Sequence, residues 1–306
     1  MPLTLLLFFA TSWTCANAGD AEWGYGGSNG SPADWPKLFA VCGNGSRQSP
    51  IDLRPETARV HLGFSDLRFS PGYRRRLSGL SIENNGHTVV VNIPEAQQSQ
   101  LLLSGGNLSW KGYRLVQFHF HWSEEFEDRG SEHTLSHLAY PLELHMVHLR
   151  ADLSTIDEGV AQPDGLAVLG VFYRLERGAL PTADRRRSAA LSAIANRLPR
   201  ISGGQRTLLW PLSLSDLLPS AEERRTFYRY EGSLTTPPCS ESVIWTIFAE
   251  PLPVTPAQLG LFRAVRLAGH DQSNDRPVQP MKRRRLFLRK VGRLRLQRTG
   301  SRTPLH

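Results

Sequence analysis

The chain has 306 residues, of which 40% are hydrophobic and 21% charged, and its formal net charge is +8. This length fits one large domain or two small ones. The composition is that of an ordinary globular protein and excludes a fully disordered or low-complexity chain. Prolines and glycines number 21 and 26, and they lie between short apolar runs, which favours a protein of strands and turns.

The first predicted element is an apolar leader. Its apolar run is too short to span a bilayer and is followed by Ala16-Asn17-Ala18, a small-x-small cleavage pattern, although no Lys or Arg precedes it. We predict a signal peptide over residues 1–18 that is removed. No later segment has eighteen consecutive apolar residues, and the C-terminus lacks the apolar tail of a lipid-anchor signal. We therefore predict a secreted, extracellular protein without a transmembrane anchor.

The predicted secretion determines how we interpret the cysteines and the glycosylation sequons. Cys15 leaves with the leader, so Cys42 and Cys239 remain as a potential disulfide in an oxidising compartment. Two unrelated buried thiols are the alternative. Glycosylation sequons begin at Asn44 and Asn107, and each predicts a surface position.

Strand-like runs recur along the chain between turn signals. In chain order they are "GLSIENNGHTVVVNIP", "YRLVQFHFHW", "LELHMVHL", "LAVLGVFYRL", "RYEGSLTTPPC" and "SVIWTIFAEP". Several run too long without polar alternation to be half-exposed, which indicates a large buried sheet. Helical spacing is limited to "ADRRRSAALSAIANRL" and "TPAQLGLFRAV", the second with a capped, proline-containing start.

We predict one α+β domain, predominantly β, over residues 19–288. It is built on a large twisted central sheet, mixed but mostly antiparallel, with a few peripheral helices. A basic, disordered tail over residues 289–306 follows.

The positive charge belongs to the end of the chain. Residues 282–306 contain ten Lys or Arg and no acid, while the preceding residues carry 26 basic and 28 acidic side chains. Such a run is usually only solvated. The alternative is that the tail contacts acidic glycans, a mineral-associated polyanion matrix or lipid headgroups. No nucleic-acid partner is predicted.

The stretch "QFHFHW" carries the strongest chemical signal. Side chains alternate faces along a strand, so His119 and His121 point the same way, while Phe118, Phe120 and Trp122 point towards a core. Taken alone, two histidines on a strand are more often an ordinary sheet surface. The downstream sequence decides between the two interpretations.

A returning strand, "LELHMVHL", supplies a third imidazole. Glu143 and His145 share one face of it and His148 takes the other. If the two strands are neighbours, His119, His121 and His145 converge. Three neutral nitrogen ligands with one open position are typical of a catalytic zinc site. The sequence therefore predicts Zn²⁺ as a cofactor.

Ligand histidines need a partner on the second ring nitrogen. Gln117 lies on the face of His119, and Glu143 on the face of His145. A glutamate inside a sheet requires such a partner, because burying an unpaired carboxylate is costly. His133 and His148 are assigned instead to hydrogen bonds within the core.

This spacing and the blocks around it resemble the α-class carbonic anhydrases of the secreted, extracellular type. The resemblance runs in order from about residue 20 to about 288 and includes "WGYG", "RQSPIDL", "NNGHTV", "GSEHT", "QPDGLAVLG", "GSLTTPPC" and "NDRPVQP". It implies that Cys42 and Cys239 form the disulfide of the family's extracellular members.

The resemblance also implies a reaction, the reversible hydration of carbon dioxide to bicarbonate and a proton by a zinc-bound hydroxide. Thr235 matches the family's threonine that accepts a hydrogen bond from the hydroxide and donates to a buried glutamate, here Glu132. His87 matches the proton shuttle. Sulfonamide-type inhibitors are expected ligands.

Further positions follow from the same resemblance. Asn274 is expected behind the metal ligands, and Tyr25 and Asn85 are expected to order water along the proton path. The apolar substrate pocket is expected to comprise Val147, Val168, Leu234, Thr236, Val243 and Trp245.

Two other functions remain open from the sequence. One is a non-catalytic carbonic-anhydrase-like binding protein, which is disfavoured because all three histidines are present. The other is a matrix- or mineral-associated protein that uses the basic tail, and it is compatible with enzymatic activity.

Overall fold

The computed structural model describes residues 23–290 apart from 27, 29, 126–127 and 202–203. The predicted leader with Cys15, the first residues of the predicted domain, and residues 291–306 of the predicted tail lie outside the described residues.

Strands dominate the described part of the chain. In chain order they are β1 Asp52–Leu53, β2 Arg59–Val60, β3 Leu67–Phe69, β4 Arg76–Leu77, β5 Ser81–Asn84, β6 Val89–Asn92, β7 Leu102–Gly105, β8 Tyr113–Trp122, β9 Thr134–Leu135, β10 Leu142–Arg150, β11 Leu166–Leu175, β12 Arg206–Leu208, β13 Leu212–Ser213, β14 Phe227–Gly232, β15 Val243–Phe248, β16 Leu252–Val254 and β17 Phe287–Arg289.

Helices are short and few by comparison. They are α1 Trp35–Leu38, α2 Ala40–Asn44, α3 Glu95–Gln98, α4 Ile156–Val160, α5 Arg185–Ala195 and α6 Pro256–Arg263, with several 3₁₀ turns between them. Helix α6 begins as its sequence predicts. Thr255 caps it, its hydroxyl accepting from the Gln258 backbone N–H while the Gln258 side chain accepts from the Thr255 N–H.

One large sheet organises the fold. Its path runs β12-β5-β6-β8-β10-β11-β15-β14-β17-β2, with β16, β3 and β7 attached. Most pairs are antiparallel, whereas β11 pairs in parallel with β15 and β16, and β17 with β2. The prediction of a single α+β domain dominated by a mixed, mostly antiparallel sheet is confirmed.

The strands of interest lie at the centre of this sheet. Strand β8 coincides with the "YRLVQFHFHW" run and pairs antiparallel with β10, as predicted for the returning strand. Central strands are covered on both faces, so their side chains are held by neighbours on every side. Every residue of β10 is buried.

Two features tie the periphery to the sheet. Cys42 and Cys239 form a disulfide that joins positions 197 residues apart, as predicted. Arg289, which the predicted boundary assigned to the tail, is instead the last residue of β17. It is buried, paired with Phe227 in the ladder and ion-paired with Asp66. No helix among the described residues has the length and apolarity needed to cross a membrane.

Candidate metal centre and active-site cavity

Three imidazoles converge on the cavity-facing side of β8 and β10. His119 lies directly opposite His145 across the two strands, and His121 lies opposite Glu143. One nitrogen from each of the three histidines lies within 4.8 Å of those of the other two. The pairing register of β8 and β10 shifts between Val147 and His148. The His148 ring forms a hydrogen bond with the Tyr73 hydroxyl and is not part of the cluster.

The other nitrogen of each ring is held by an acceptor. His119 Nδ1 donates to Gln117 Oε1 at 2.9 Å, His121 Nδ1 to the Asn274 carbonyl at 2.8 Å, and His145 Nε2 to Glu143 Oε1 at 2.8 Å. Because none of these oxygens can donate, each ring must carry its proton there. The nitrogens that face one another therefore carry lone pairs.

Those inward nitrogens lack partners of their own. His121 Nε2 and His145 Nδ1 are buried and accept no hydrogen bond from any described residue. Unsatisfied buried nitrogens are costly, and converging lone pairs repel one another. A divalent cation removes both penalties, so the donor set fits a zinc ion.

Burial keeps these rings neutral. It lowers the pKa of His121 to about 3, with a further contribution from His145. Burial also lowers the pKa of His119 well below its usual value and lowers that of His145, although Glu143 opposes the second change. Neutral imidazole is the form that binds a metal.

Glu132 lies beside the cluster. Its Oε2 is 3.4 Å from His121 Nε2 and 3.7 Å from His145 Nδ1, and its Oε1 accepts from the Arg276 backbone N–H at 3.1 Å. Burial raises the pKa of Glu132 well above its ordinary value, while the neighbouring Thr235 hydroxyl and Arg276 oppose that rise. Thr235 and Glu132 are therefore neighbours.

Glu143 connects the cluster to a second histidine. Its two oxygens accept from His133 Nδ1 at 2.8 Å and from the His133 backbone N–H at 2.9 Å, and His133 Nε2 meets Tyr230 at 2.6 Å. Burial would raise the pKa of Glu143, but His133 and His145 outweigh it and hold the pKa below its ordinary range. His133, Glu143 and His145 also lie close enough for a metal. Since these groups already bond one another, we interpret them as a supporting network.

Asn274 holds the end of β8 in place through hydrogen bonds. Its side chain accepts from the Trp122 backbone N–H at 2.8 Å and donates to the Phe120 carbonyl at 2.9 Å, while its own carbonyl holds His121. One residue from a distant loop thus fixes both the strand and a metal-facing ring.

The cluster forms the floor of a cavity of about 760 Å³. Val147, Val168 and Trp245 occupy one row across β10, β11 and β15 and give this floor an apolar side. The predicted pocket residues among its lining are Val147, Val168, Leu234, Thr236 and Trp245. Val243 is buried in the same apolar cluster as Val147, Val168 and Trp245 but is not among the residues that line the cavity.

The predicted proton-path residues lie on the opposite wall. His87, Tyr25 and Asn85 all line the cavity. The His87 ring stacks on Trp23, with ring centroids 3.7 Å apart and planes within 7°. Burial lowers the pKa of His87, and Asp271 opposes the change. The Asn85 side chain accepts from the His87 and Thr88 backbone N–H groups, which shapes the turn that presents His87.

Sequence reasoning missed two supporting residues. Trp23 lies in the quoted "WGYG" block, but nothing in that block indicates that its ring stacks on His87. Arg276 donates to the Gln48 side chain and to the Cys42 carbonyl, which links Glu132 to the disulfide. Its position in "NDRPVQP" was the available signal. Both sequon residues, Asn44 and Asn107, are exposed.

Comparison with known proteins agrees with the site. The family model for eukaryotic-type carbonic anhydrase matches residues 30–290. The chain is similar to putative carbonic anhydrase 5 of Caenorhabditis elegans, with 38% identity over 94% of this chain and 88% of the relative. It is also similar to human carbonic anhydrase 7, at 38% over 87% and 96%, and to mouse carbonic anhydrase 15, at 34% over 83% and 78%.

Proposed function

The chain belongs to the eukaryotic-type carbonic anhydrase family, and from this premise we propose that it is a zinc enzyme that reversibly hydrates carbon dioxide to bicarbonate and a proton. One observation carries the proposal. Three neutral imidazoles present converging lone pairs, two of them buried without partners, at the floor of a partly apolar cavity.

His119, His121 and His145 would hold the metal. Zinc bound by three imidazoles lowers the pKa of its water to about 7, a value established for carbonic anhydrase itself and not a result of this structure. Gln117, Glu143 and the Asn274 carbonyl keep the three rings in the tautomers that zinc requires.

Thr235 and Glu132 orient the nucleophile in this proposal. With a cation held by the three histidines, Glu132 would be ionised despite its burial and would accept a hydrogen bond from the Thr235 hydroxyl. The threonine oxygen could then accept a hydrogen bond on its cavity side. An acceptor at this position would orient the nucleophile that zinc supplies and so direct its lone pair at the substrate. The contact between Thr235 and Glu132 supports this role.

The substrate side of the cavity is apolar, as a small apolar substrate requires. Val147, Val168, Leu234 and Trp245 exclude ordered water from the floor, and Thr236 adds a polar group. We assign Val243 a supporting role, since it lies in the same buried apolar cluster as Val147, Val168 and Trp245.

His87 carries the proton away from the centre. Its imidazole titrates nearest to neutrality among side-chain types. Tyr25 and Asn85 line the same cavity as His87 and the cluster, and we propose that they order water along the proton path.

The location and partners belong to the same proposal. Secretion after removal of residues 1–18 is supported by the disulfide, a bond typical of oxidising compartments. Glycosylation at Asn44 and Asn107 is supported by their exposure. Sulfonamide-type inhibitors would bind the cavity.

Binding of the basic tail to acidic glycans or a mineral matrix is tested by deleting residues 290–306 and measuring retention on an anionic matrix. Unchanged retention would refute a role of the tail in this binding.

The decisive experiment is a carbon dioxide hydration assay on purified protein before and after zinc chelation, with His119→Ala alongside. We expect activity that disappears on chelation, returns with added zinc and is absent from the variant. Activity that survives chelation would refute the zinc mechanism. A folded protein that binds zinc but hydrates no carbon dioxide would instead support the non-catalytic alternative.

A further inference from the structure

A second cavity, the arginine groove, lies apart from the histidine cavity. Its volume is about 650 Å³, and it shares no lining residue with the first cavity. Its lining includes three arginines, Arg74, Arg76 and Arg186, and three alanines, Ala189, Ala190 and Ala193.

Helix α5 forms one wall of the arginine groove. Arg186, Ala189, Ala190 and Ala193 recur at helical spacing, so they share one face of α5. The methyl side chains leave open the space that larger residues would fill. The facing wall comes from the 3₁₀ turn Pro71–Arg74 and from β4, which pairs with β13.

Positive charge in the groove is not balanced. Among the described residues, Arg74 and Arg186 have no carboxylate partner, and Asp216 is the one acid in the lining. The neighbouring Arg187 pairs with Asp184 and Glu223, so those acids are already occupied.

The charge continues beyond the groove. Arg224 lies over the Phe69 ring, and its pKa is lowered by burial and then by the charges of Arg74 and Arg187. Helix α5 has Asp184 at its N-cap, which pairs with Arg187, and its first turn then carries three successive arginines, Arg185 to Arg187.

We infer that the arginine groove binds a sulfated polysaccharide, whose sulfate groups pair with Arg74 and Arg186. Guanidinium groups match tetrahedral oxyanions with paired hydrogen bonds. The opening has the size of a small-molecule site and could take a sugar unit with its sulfates, and the charge extends to Arg224, as a chain-like ligand requires. The disulfide fits the oxidising exterior in which such polymers occur.

The test compares two double variants of the full chain that remove equal charge. Arg74→Gln/Arg186→Gln changes the groove; Arg76 is left intact because it donates to the Pro211 carbonyl at 2.6 Å. Arg68→Gln/Arg200→Gln is the matched control, since both arginines are exposed and outside the groove. Affinity for a heparin-type sulfated oligosaccharide is measured by titration calorimetry at several salt concentrations.

We expect the groove variant to bind at least about tenfold more weakly and to lose about two from the slope of log K against log salt. The control should change less than about twofold, and both variants should keep the parent's melting temperature and hydration rate. Equal weakening in both variants would overturn the inference, because only net charge would then matter.

Two further arms separate other sources of binding. The full-length variant Arg293→Gln/Arg295→Gln should still bind the oligosaccharide through the groove. If this variant does not bind while the groove variant binds like the parent, the tail is the binding site and the inference fails. A desulfated oligosaccharide should not bind. Competition by inorganic sulfate at equal concentration would mark the groove as a small-anion site and would also overturn the inference.

Discussion

The two faces of β8 and β10 differ in how they are stabilised, although they belong to the same strands. On one face Phe118, Phe120, Trp122, Leu144 and Met146 are fully buried in the main apolar core. That face stabilises the folded state by removing apolar surface from water, which is a non-directional effect, and by close packing of side chains.

The other face buries polar atoms instead. His121, His145 and Glu143 are as deeply buried as the aromatic residues behind them. Hydrogen-bond partners satisfy Glu143 and the outer ring nitrogens of both histidines, while the inward nitrogens have no partner among the described residues and would be satisfied by a cation. The comparison teaches that changes on the core face should alter stability, whereas changes on the cavity face should alter metal binding and catalysis.

The largest expected effect comes from removing a metal ligand on the cavity face. His121→Ala removes one zinc ligand, so we expect zinc content to fall below one ion per chain and hydration to fall to the uncatalysed rate. Zinc analysis and the hydration assay measure this. His137→Asn is the control, since His137 is exposed and pairs with Asp52. Full activity in His121→Ala would contradict the expectation that changes on the cavity face alter metal binding and catalysis.

A core substitution should have the converse effect. Phe118→Ala leaves a cavity on the apolar face, and we expect the free energy of unfolding to fall by about 3–5 kcal/mol. Denaturant unfolding measures the loss. Zinc content and activity per folded molecule should remain within about twofold of the parent. Loss of zinc from protein that is still folded would show that the faces are not separable.

The supporting network should have a graded effect. Glu143→Gln removes the carboxylate that accepts from His145 and His133, and we expect zinc affinity to fall by about 10–100-fold. Competition with a chelator of known affinity measures it. Glu83→Gln, at the cavity rim and paired with Arg206, should leave zinc affinity unchanged; an equal loss there would indicate a general charge effect.

The smallest effect concerns proton transfer. His87→Ala should lower the hydration rate about tenfold in dilute buffer, since general-base transfer is lost but dissolved buffer substitutes in part. Concentrated imidazole buffer should restore the rate. A rate that is unchanged in dilute buffer would exclude His87 as the proton carrier.

The pH dependence follows from the lowered pKa of His87. Neutral His87 accepts protons, so the hydration rate should fall as pH drops through a pKa below 6.5, and His87→Ala should lack that inflection. Because the folded-state pKa lies below the unfolded one, the unfolded chain binds more protons in that window. The contribution of His87 to stability is therefore lost as pH falls.

Much of this arrangement was predictable because strand periodicity is a local property. Alternation placed His119 with His121, and Glu143 with His145, before any pairing was known. The partner of His119 followed from the same parity, since Gln117 is two residues away. The ladder contact of Arg289 with Phe227 could not be predicted, because it leaves no trace in a basic run.

The sequence by itself determined which side chains share a face, since that depends only on neighbouring backbone geometry. Tertiary structure alone decided that the Asn274 carbonyl accepts a hydrogen bond from His121 across 153 residues and that the Trp23 ring stacks on His87. It also decided that arginines from α5 and from the turn before β4 share one groove. Such contacts depend on register and packing between distant segments, and no local pattern encodes them.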